Sequence, residues 1–361
     1  MRLRVHERRS IGDGQPCLIV AEMSANHNGE FDRAVALVRA AREAGADAIK
    51  LQTYTPDTIT FNSRDRLFEV PGNSTWAGRN LYELYQEAYT PWEWQPKLQR
   101  LADELGMICF SSPFDKTAVD FLESMGVPLF KIASFELVDL PLIRYVAQRG
   151  KPVILSTGMA TREEIHEAVR EIRETGNEQI VILKCVSAYP APPEEMNLRT
   201  IPDLKRTFRC LVGLSDHTLG QEAAIAAVTL GASVIEKHIT LSRNEGGPDA
   251  SFSLEPSEFG KMVDSVRLVE KSLGHVSYEP TAKELANKSF RRSLFVVRDV
   301  KKGEAFTEES VKSLRPSAGL PPKYFHEVLG ERAAADIKAG TPLRWDLVEG
   351  RHTPCPVSSI P

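Results

Sequence analysis

The chain has 361 residues, 42% hydrophobic and 26% charged, with 45 Lys and Arg against 49 Asp and Glu for a net charge of −4. This is ordinary globular composition, which excludes a disordered or collagen-like chain, and the lack of a basic excess excludes a polyanion-binding surface while leaving room for a pocket that holds one phosphate. The five cysteines are odd in number and never at CxxC spacing, so neither a disulfide framework nor a zinc knuckle is expected; with no signal-peptide core and no apolar run of spanning length, the sequence predicts a soluble, cytoplasmic protein that engages neither membrane nor nucleic acid.

From Cys17 onward, short apolar runs alternate with amphipathic stretches. The runs are CLIVAE (17–22), DAIKLQ (47–52), MICFSS (107–112), LFKIAS (129–134), KPVILS (151–156), IVILKC (180–185), CLVGLS (210–215) and SVIEKH (233–238). They lack period-two alternation, as strands covered on both faces should. The intervening stretches carry helical periodicity and mostly end in Gly, a plausible C-cap. FDRAVALVRAAREAG, for example, puts Ala34, Val35, Val38 and Ala41 on one face. Eight strand–helix units predict a (β/α)8 TIM barrel over residues 1–275. Residues 53–90 are too long for a bare connection and predict an active-site loop with a little helix. Its aromatics, among them Phe61, Phe68 and Trp76, either pack the loop on itself or touch a substrate.

The polar stretch 276–290 reads as a linker. From Arg291 two strand pairs punctuated by KKGE and KAGT predict a small β-rich domain over 291–350, too small for a large independent core. Residues 351–361 read as a flexible tail.

In a parallel barrel the chemistry sits at the C-terminal strand ends. Those ends hold Glu22 with Asn26 and His27; Lys50; Ser111 and Ser112; Lys131, Ser134 and Glu136; Ser156; Lys184, Ser187 and Tyr189; Ser215 and His217; and Glu236 and His238, with Asp249 beyond. An isolated buried charge costs several kcal/mol. Two lysines and several hydroxyls converging at one mouth instead make a site for a phosphate or carboxylate. His217 and His238 on adjacent strands can share one divalent metal with positions left open, water, Glu22 or Asp249 completing the shell. Lys184 either points outward or forms an imine, as a Schiff-base aldolase would require. His27 either caps the following helix or contacts substrate.

The segments AEMSANHNGEFDRA, AGADAIKLQTYTPDTIT, FSSPFD, FKIASFEL, GKPVILSTGMAT, VGLSDHTLG, VIEKHITL and GGPDASFSLEP resemble the sialic acid synthase family, and RRSLFVVRDVKKGEAFT through ADIKAGTPL resembles its antifreeze-like (SAF) domain. SANHN, TPWEW, LPPKY and EKHIT (where the neuraminate and legionaminate branches carry RHFT) resemble the branch that makes pseudaminic acid. The resemblance implies a transferase that condenses phosphoenolpyruvate with 2,4-diacetamido-2,4,6-trideoxy-L-altrose; the alternative acceptor is a manno-configured amino sugar. It implies that Lys50, Ser112, Lys131, Ser134, Ser156, Ser187 and Ser215 hold phosphoenolpyruvate. Glu22, Asn26, Tyr189, Asp249 and Arg315 would meet the sugar, with Glu22, Lys50, Lys131 and Asp249 catalytic. His217 and His238 would bind Mn2+, Mg2+ or Co2+. Because Arg315 would come from a second chain, the resemblance also implies a domain-exchanged homodimer.

Overall fold

The computed structural model describes residues 1–72 and 76–351, so most of the tail lies outside the described residues. The chain divides into two compact units, Met1–Gly274 and a second beginning at His275. In the first unit, β1 (Arg2–His6) and β2 (Arg9–Gly12) form an antiparallel hairpin. The barrel strands follow: β3 (Leu18–Glu22), β4 (Ala48–Thr53), β5 (Ile108–Pro113), β6 (Phe130–Ile132), β7 (Val153–Ser156), β8 (Ile180–Cys185), β9 (Leu211–Asp216) and β10 (Val234–His238). They close as a parallel barrel in the order β10-β3-β4-β5-β6-β7-β8-β9. The eight apolar runs of the sequence are these strands. Their lack of alternation follows from burial on both faces.

Two apolar layers result. Ile19, Ile49, Phe130, Leu155, Ile182, Val212, Leu214 and Ile235 face outward into the layer shared with the helices. Leu18, Val20, Ala48, Phe110, Ile154, Leu183, Leu211 and Val234 face inward. The inward apolar residues cluster toward the strand starts and leave the strand ends for polar groups. The hairpin completes this inner layer, because Val5 and Ile11 join it and stopper the N-terminal end of the barrel. Asp47 fastens the hairpin there, pairing with Arg9 at 3.1 Å and Arg267 at 2.6 Å while accepting from the Ile19 N–H. These strands are too short and too charged for the sequence pattern to mark them.

The helices start and stop where local chemistry dictates. Asp115 caps the helix Lys116–Ser124, and Thr161 with Glu164 forms a capping box on Arg162–Glu174. Gly45, Gly150 and Gly176 take left-handed φ values just past helix ends. On Phe31–Glu43 the buried residues are Ala34, Leu37, Val38 and Ala41; Leu37 takes the place expected for Val35, which is half-buried.

In the second unit β11 (Ser293–Val296) pairs antiparallel with β12 (Val311–Leu314), and bridges Val300–Ile337 and Ala305–Arg332 extend the pattern. Leu294, Val296, Phe306, Val311, Leu343 and Trp345 form its own core. The stretch read as a linker is not bare: it holds a short helix, Ala282–Ala286, capped by Thr281, and a 3-10 turn, Asn287–Phe290.

Candidate active site

Side chains alternate along each strand, so inward parity selects which strand-end residues can meet. Continuing the inward series carries Glu22, Lys50, Ser112, Lys131, Ser156, Cys185, Ser215, Glu236, His217 and His238 to the C-terminal mouth. All ten are buried.

The centre is a four-charge cluster. Lys50 Nζ forms an ion pair with Glu22 Oε2 and lies 3.7 Å from Glu236 Oε1, while Lys131 Nζ lies 3.9 Å from that same oxygen. Lys50 also donates to Ser112 Oγ at 3.3 Å, and Ser215 Oγ donates to Glu236 Oε1 at 3.3 Å. Burial opposes the charge on Glu236, but Lys131 and Lys50 hold its carboxyl below the usual glutamate value. Burial also works against Lys50, yet Glu22 and Glu236 raise it above the ordinary lysine value. Lys131 has less support, and burial draws it down. Glu22 behaves oppositely to Glu236: burial raises it to about 7, with Lys50 only partly offsetting and Glu236 adding to the rise. Two like carboxylates in one buried cluster thus separate into an ionised and a protonatable member.

Ser134 and Ser187 come together across the mouth because Gly158 admits them. A Cβ at Gly158 would stand 2.4 Å from both Ser134 Cβ and Ser187 Oγ. The Ser156 hydroxyl is buried with no protein hydrogen-bond partner among the described residues. Ser111 faces the other way, bonding Thr53 at 2.6 Å in the outer layer.

Beside the cluster, the rings of His217 and His238 lie 5.3 Å apart, centroid to centroid. His217 Nδ1 is 2.9 Å from the Val186 carbonyl, a contact that as an N–H donor leaves Nε2 with its lone pair. His238 Nδ1 is buried without a hydrogen-bond partner among the described residues, and burial, then His217, keep that ring neutral. Burial opposes the charge on His217, but Cys185 and the Val186 carbonyl raise that ring above the ordinary histidine value, so a divalent ion would displace its second proton on binding. Imidazole nitrogens are donors such an ion accepts, and the unpartnered Nδ1 of neutral His238 beside His217 fits one. Among the described residues no group of three or more His, Cys, Asp or Glu gathers around such a point. An ion there would complete its shell with water or substrate oxygens, as catalytic rather than structural sites do.

An aromatic platform adjoins the histidines. The Phe252 ring is 5.0 Å from His238 and 5.1 Å from Tyr189, and Tyr189 is 4.4 Å from His217. From the long loop, Trp76 reaches this platform, 5.3 Å from Tyr189, and donates from its indole N–H to the Pro248 carbonyl at 2.8 Å. Phe61 is 70% exposed and packs only loosely on Phe68. Of the three loop aromatics, then, Trp76 is the one drawn to the mouth.

Asp249 is buried close by, accepting from the Ala25 N–H at 3.3 Å, and burial raises its carboxyl. Asn26 is fully buried and donates to the Ile239 carbonyl and to Ser253 Oγ, both at 2.9 Å, which makes it a brace between two loops of the mouth. His27 bonds Thr90 Oγ1 at 3.1 Å and accepts from the Gly29 N–H, and burial lowers it to about 4. His27 is thus tied within its own loop and to Thr90; the helix Phe31–Glu43 begins at Glu30 with no side-chain cap, so the capping role considered for His27 is not what its side chain does. Lys184 lies on outward parity and donates to the Cys185 carbonyl at 2.8 Å, away from the barrel interior and unsuited to an imine there. Arg315 lies in the second unit, exposed.

Three further mouth residues were not singled out for a role from sequence. Glu236 joins the two lysines. Cys185 lies 3.5 Å from Ser134 Oγ and 3.9 Å from His217 Nδ1; burial opposes its ionisation, yet His217 and its hydrogen bonds lower the thiol to about 6. Glu136 has a buried oxygen without a hydrogen-bond partner among the described residues, and burial raises it to about 7. Inward parity would have flagged Glu236 and Cys185; Glu136 follows its strand, where parity gives no guide.

The fold and mouth define a class of protein, a closed parallel (β/α)8 barrel with two buried lysines and two neighbouring histidines at the C-terminal ends of its strands. The chain belongs to the NeuB family, whose pattern matches residues 37–278, with a SAF domain matching residues 291–349. It is 48% identical over 326 residues to a pseudaminic acid synthase of Campylobacter jejuni, covering 90% of this chain and 95% of that one. It is 46% identical to a pseudaminic acid synthase of Helicobacter pylori, covering 93% and 98%. A solved structure, the N-acetylneuraminic acid synthetase of Leptospira borgpetersenii in complex with citrate, superposes with a TM-score of 0.71 at 31% identity, covering 80% of this chain and 95% of that one.

Proposed function

We propose that this chain is a pseudaminic acid synthase. It joins phosphoenolpyruvate to open-chain 2,4-diacetamido-2,4,6-trideoxy-L-altrose and water, giving pseudaminic acid and phosphate. The observation that carries the reaction class is the pair of buried lysines held on Glu236 at the barrel mouth. The acceptor rests on the likeness to the Campylobacter and Helicobacter enzymes.

Phosphoenolpyruvate carries a phosphate and a carboxylate. Lys50 with Ser112, and Lys131 with Ser134, Ser156, Ser187 and Ser215, supply cations and hydroxyl donors for both. Carbon 3 of the donor forms the new bond to the sugar aldehyde carbon, positive charge develops at carbon 2, water adds there, and phosphate leaves with the bridging oxygen. Donors fixed in place before the reaction stabilise that charge movement; losing one costs about 3–4 kcal/mol. Glu22, beside Lys50 and ionisable near neutrality, either accepts the proton of the added water or stabilises the cationic carbon. A divalent ion held by His217 and His238, with Mn2+, Mg2+ and Co2+ as the candidates, would supply Lewis-acid polarisation of an aldehyde oxygen. Asp249 and Tyr189 line the acceptor side, and Trp76 offers an apolar face to the sugar's C6 methyl. Burying one methyl is worth only about 1 kcal/mol, so polar contacts to the two acetamido groups carry most of the selectivity.

The second unit enters through Arg315, which in this reading reaches the N-acyl group of a sugar in the partner's barrel. The resulting homodimer has support in four apolar residues that are more than half exposed on loops around the mouth: Phe135, Val138, Met159 and Leu219.

Phosphoenolpyruvate labelled with 18O at the bridging position tests the reaction class. The account expects the label in inorganic phosphate. Label in the nine-carbon keto acid would mean phosphorus–oxygen cleavage and would refute it.

A further inference from the structure

The β9–β10 ladder ends one residue short of the metal-position histidines. Its last paired residues are Lys237 and Asp216, and His217 and His238 lie just past that rung. Beyond the rung, nothing in the ladder fixes the spacing of the two strand ends. The rung itself carries a side-chain cluster pointing away from the barrel interior. Lys237 Nζ donates to Asp216 Oδ2 at 2.7 Å and to the Thr218 carbonyl at 2.5 Å. Asp216 Oδ1 accepts from the Thr218 N–H at 2.9 Å and from its hydroxyl at 2.8 Å. Residues on both sides of His217 are thereby tied to the residue preceding His238. The Lys237 and Asp216 side chains are 1% and 0% exposed, so no substrate reaches them.

A buried ion pair is a poor device for stability alone, because apolar residues of similar volume often serve as well or better. What the ion pair adds is a single geometry. Other contacts hold each ring singly: His217 meets the Val186 carbonyl and the Tyr189 ring, and His238 packs on Phe252 and pairs through its backbone with Glu22, while its Nδ1 has no hydrogen-bond partner among the described residues. The Asp216–Lys237 pair ties the two strand ends to each other.

We infer that Asp216 and Lys237 are positioning residues that set the separation of His217 and His238 and thereby the affinity for the divalent ion. This rests on the two-histidine reading of the metal position.

The test is Mn2+ binding to the full-length protein, read as the loss of free Mn2+ signal in electron paramagnetic resonance. The variants are Asp216→Leu/Lys237→Met, Asp216→Asn and Lys237→Arg, each checked for folding by thermal unfolding. Changing groups that orient a metal's ligands weakens binding about 10–100-fold, and the paired apolar exchange is expected in that range. Asp216→Asn, which preserves volume and the contacts to Thr218 but removes the charge, is expected to weaken binding at least about threefold. Lys237→Arg, which restores a cation on the rung, is expected to bind like the parent. A folded paired variant with parental Mn2+ affinity overturns the inference. If that variant fails to fold, Asp216→Asn decides, and parental affinity there overturns it equally. Parental chain that binds no Mn2+, or binds it undiminished in His217→Ala, sinks the metal reading itself and the inference with it.

Discussion

Lys131 and Glu22 are the residues through which the account is most exposed. Lys131→Met keeps the buried volume and leaves Glu236 its second cation, so the fold survives. The preorganised charge is gone, and kcat/KM for phosphoenolpyruvate is expected to fall about 10²–10³-fold, measured by initial rates of phosphate release. Glu22 makes a prediction with a definite sign. Burial raises it from the ordinary value of 4.5 to about 7. Between those values the folded chain holds a proton that the unfolded chain has released. The group's contribution to stability is therefore fullest below 4.5 and declines as pH rises through about 7. Glu22→Gln is expected to give a shallower fall in the urea midpoint across that interval. An unchanged slope would place the proton elsewhere, with Glu136 the next group to change.

At the scale of elements, the barrel was legible because its signal is repetitive. Eight Val- and Ile-rich runs, each followed by an amphipathic stretch, admit few other topologies. The polar strand ends were legible for the same reason, since a Lys in DAIKLQ or LFKIAS needs a partner. The N-terminal hairpin was not legible. RLRVH and RSIG are short, charged strands whose buried apolar side chains, Val5 and Ile11, matter only because the barrel end beneath them is open. The long loop was half legible: its composition announced aromatics near a site, but only the tertiary arrangement separates Trp76 on Tyr189 from exposed Phe61. Asn26 shows the converse, a polar residue in a site motif whose amide N–H groups are taken by Ile239 and Ser253. From the loop's geometry, Trp76→Ala is expected to raise the acceptor KM about three- to tenfold, the loss of one ring contact, while the phosphoenolpyruvate KM stays put. A parallel rise in both would mean the loop merely supports the mouth. A cap gives an independent check on the fold: Asp115→Ala should cost about 1 kcal/mol, read as a lower thermal midpoint with unaltered KM values.

At the scale of the whole molecule, a barrel with its own core is followed by a small unit with its own core, and the proposal assigns the small unit a task in a neighbour's site. Complementation tests this directly. Chains with Arg315→Ala and with Lys131→Ala are each expected to be inactive. Unfolded and refolded together, they should regain activity at about a quarter of all sites, those that combine an intact barrel with an intact Arg315 from the partner. No recovery would mean that Arg315 serves its own barrel or none.

The central claim, that this mouth joins phosphoenolpyruvate to an altro-configured 6-deoxy diacetamido sugar, is tested most directly by one measurement. Phosphate release is followed with phosphoenolpyruvate and, in turn, 2,4-diacetamido-2,4,6-trideoxy-L-altrose, its 6-deoxymannose counterpart and N-acetylmannosamine. The account predicts turnover with the first and a kcat/KM lower by at least tenfold with the other two. Preferred turnover of either manno-configured sugar would contradict it.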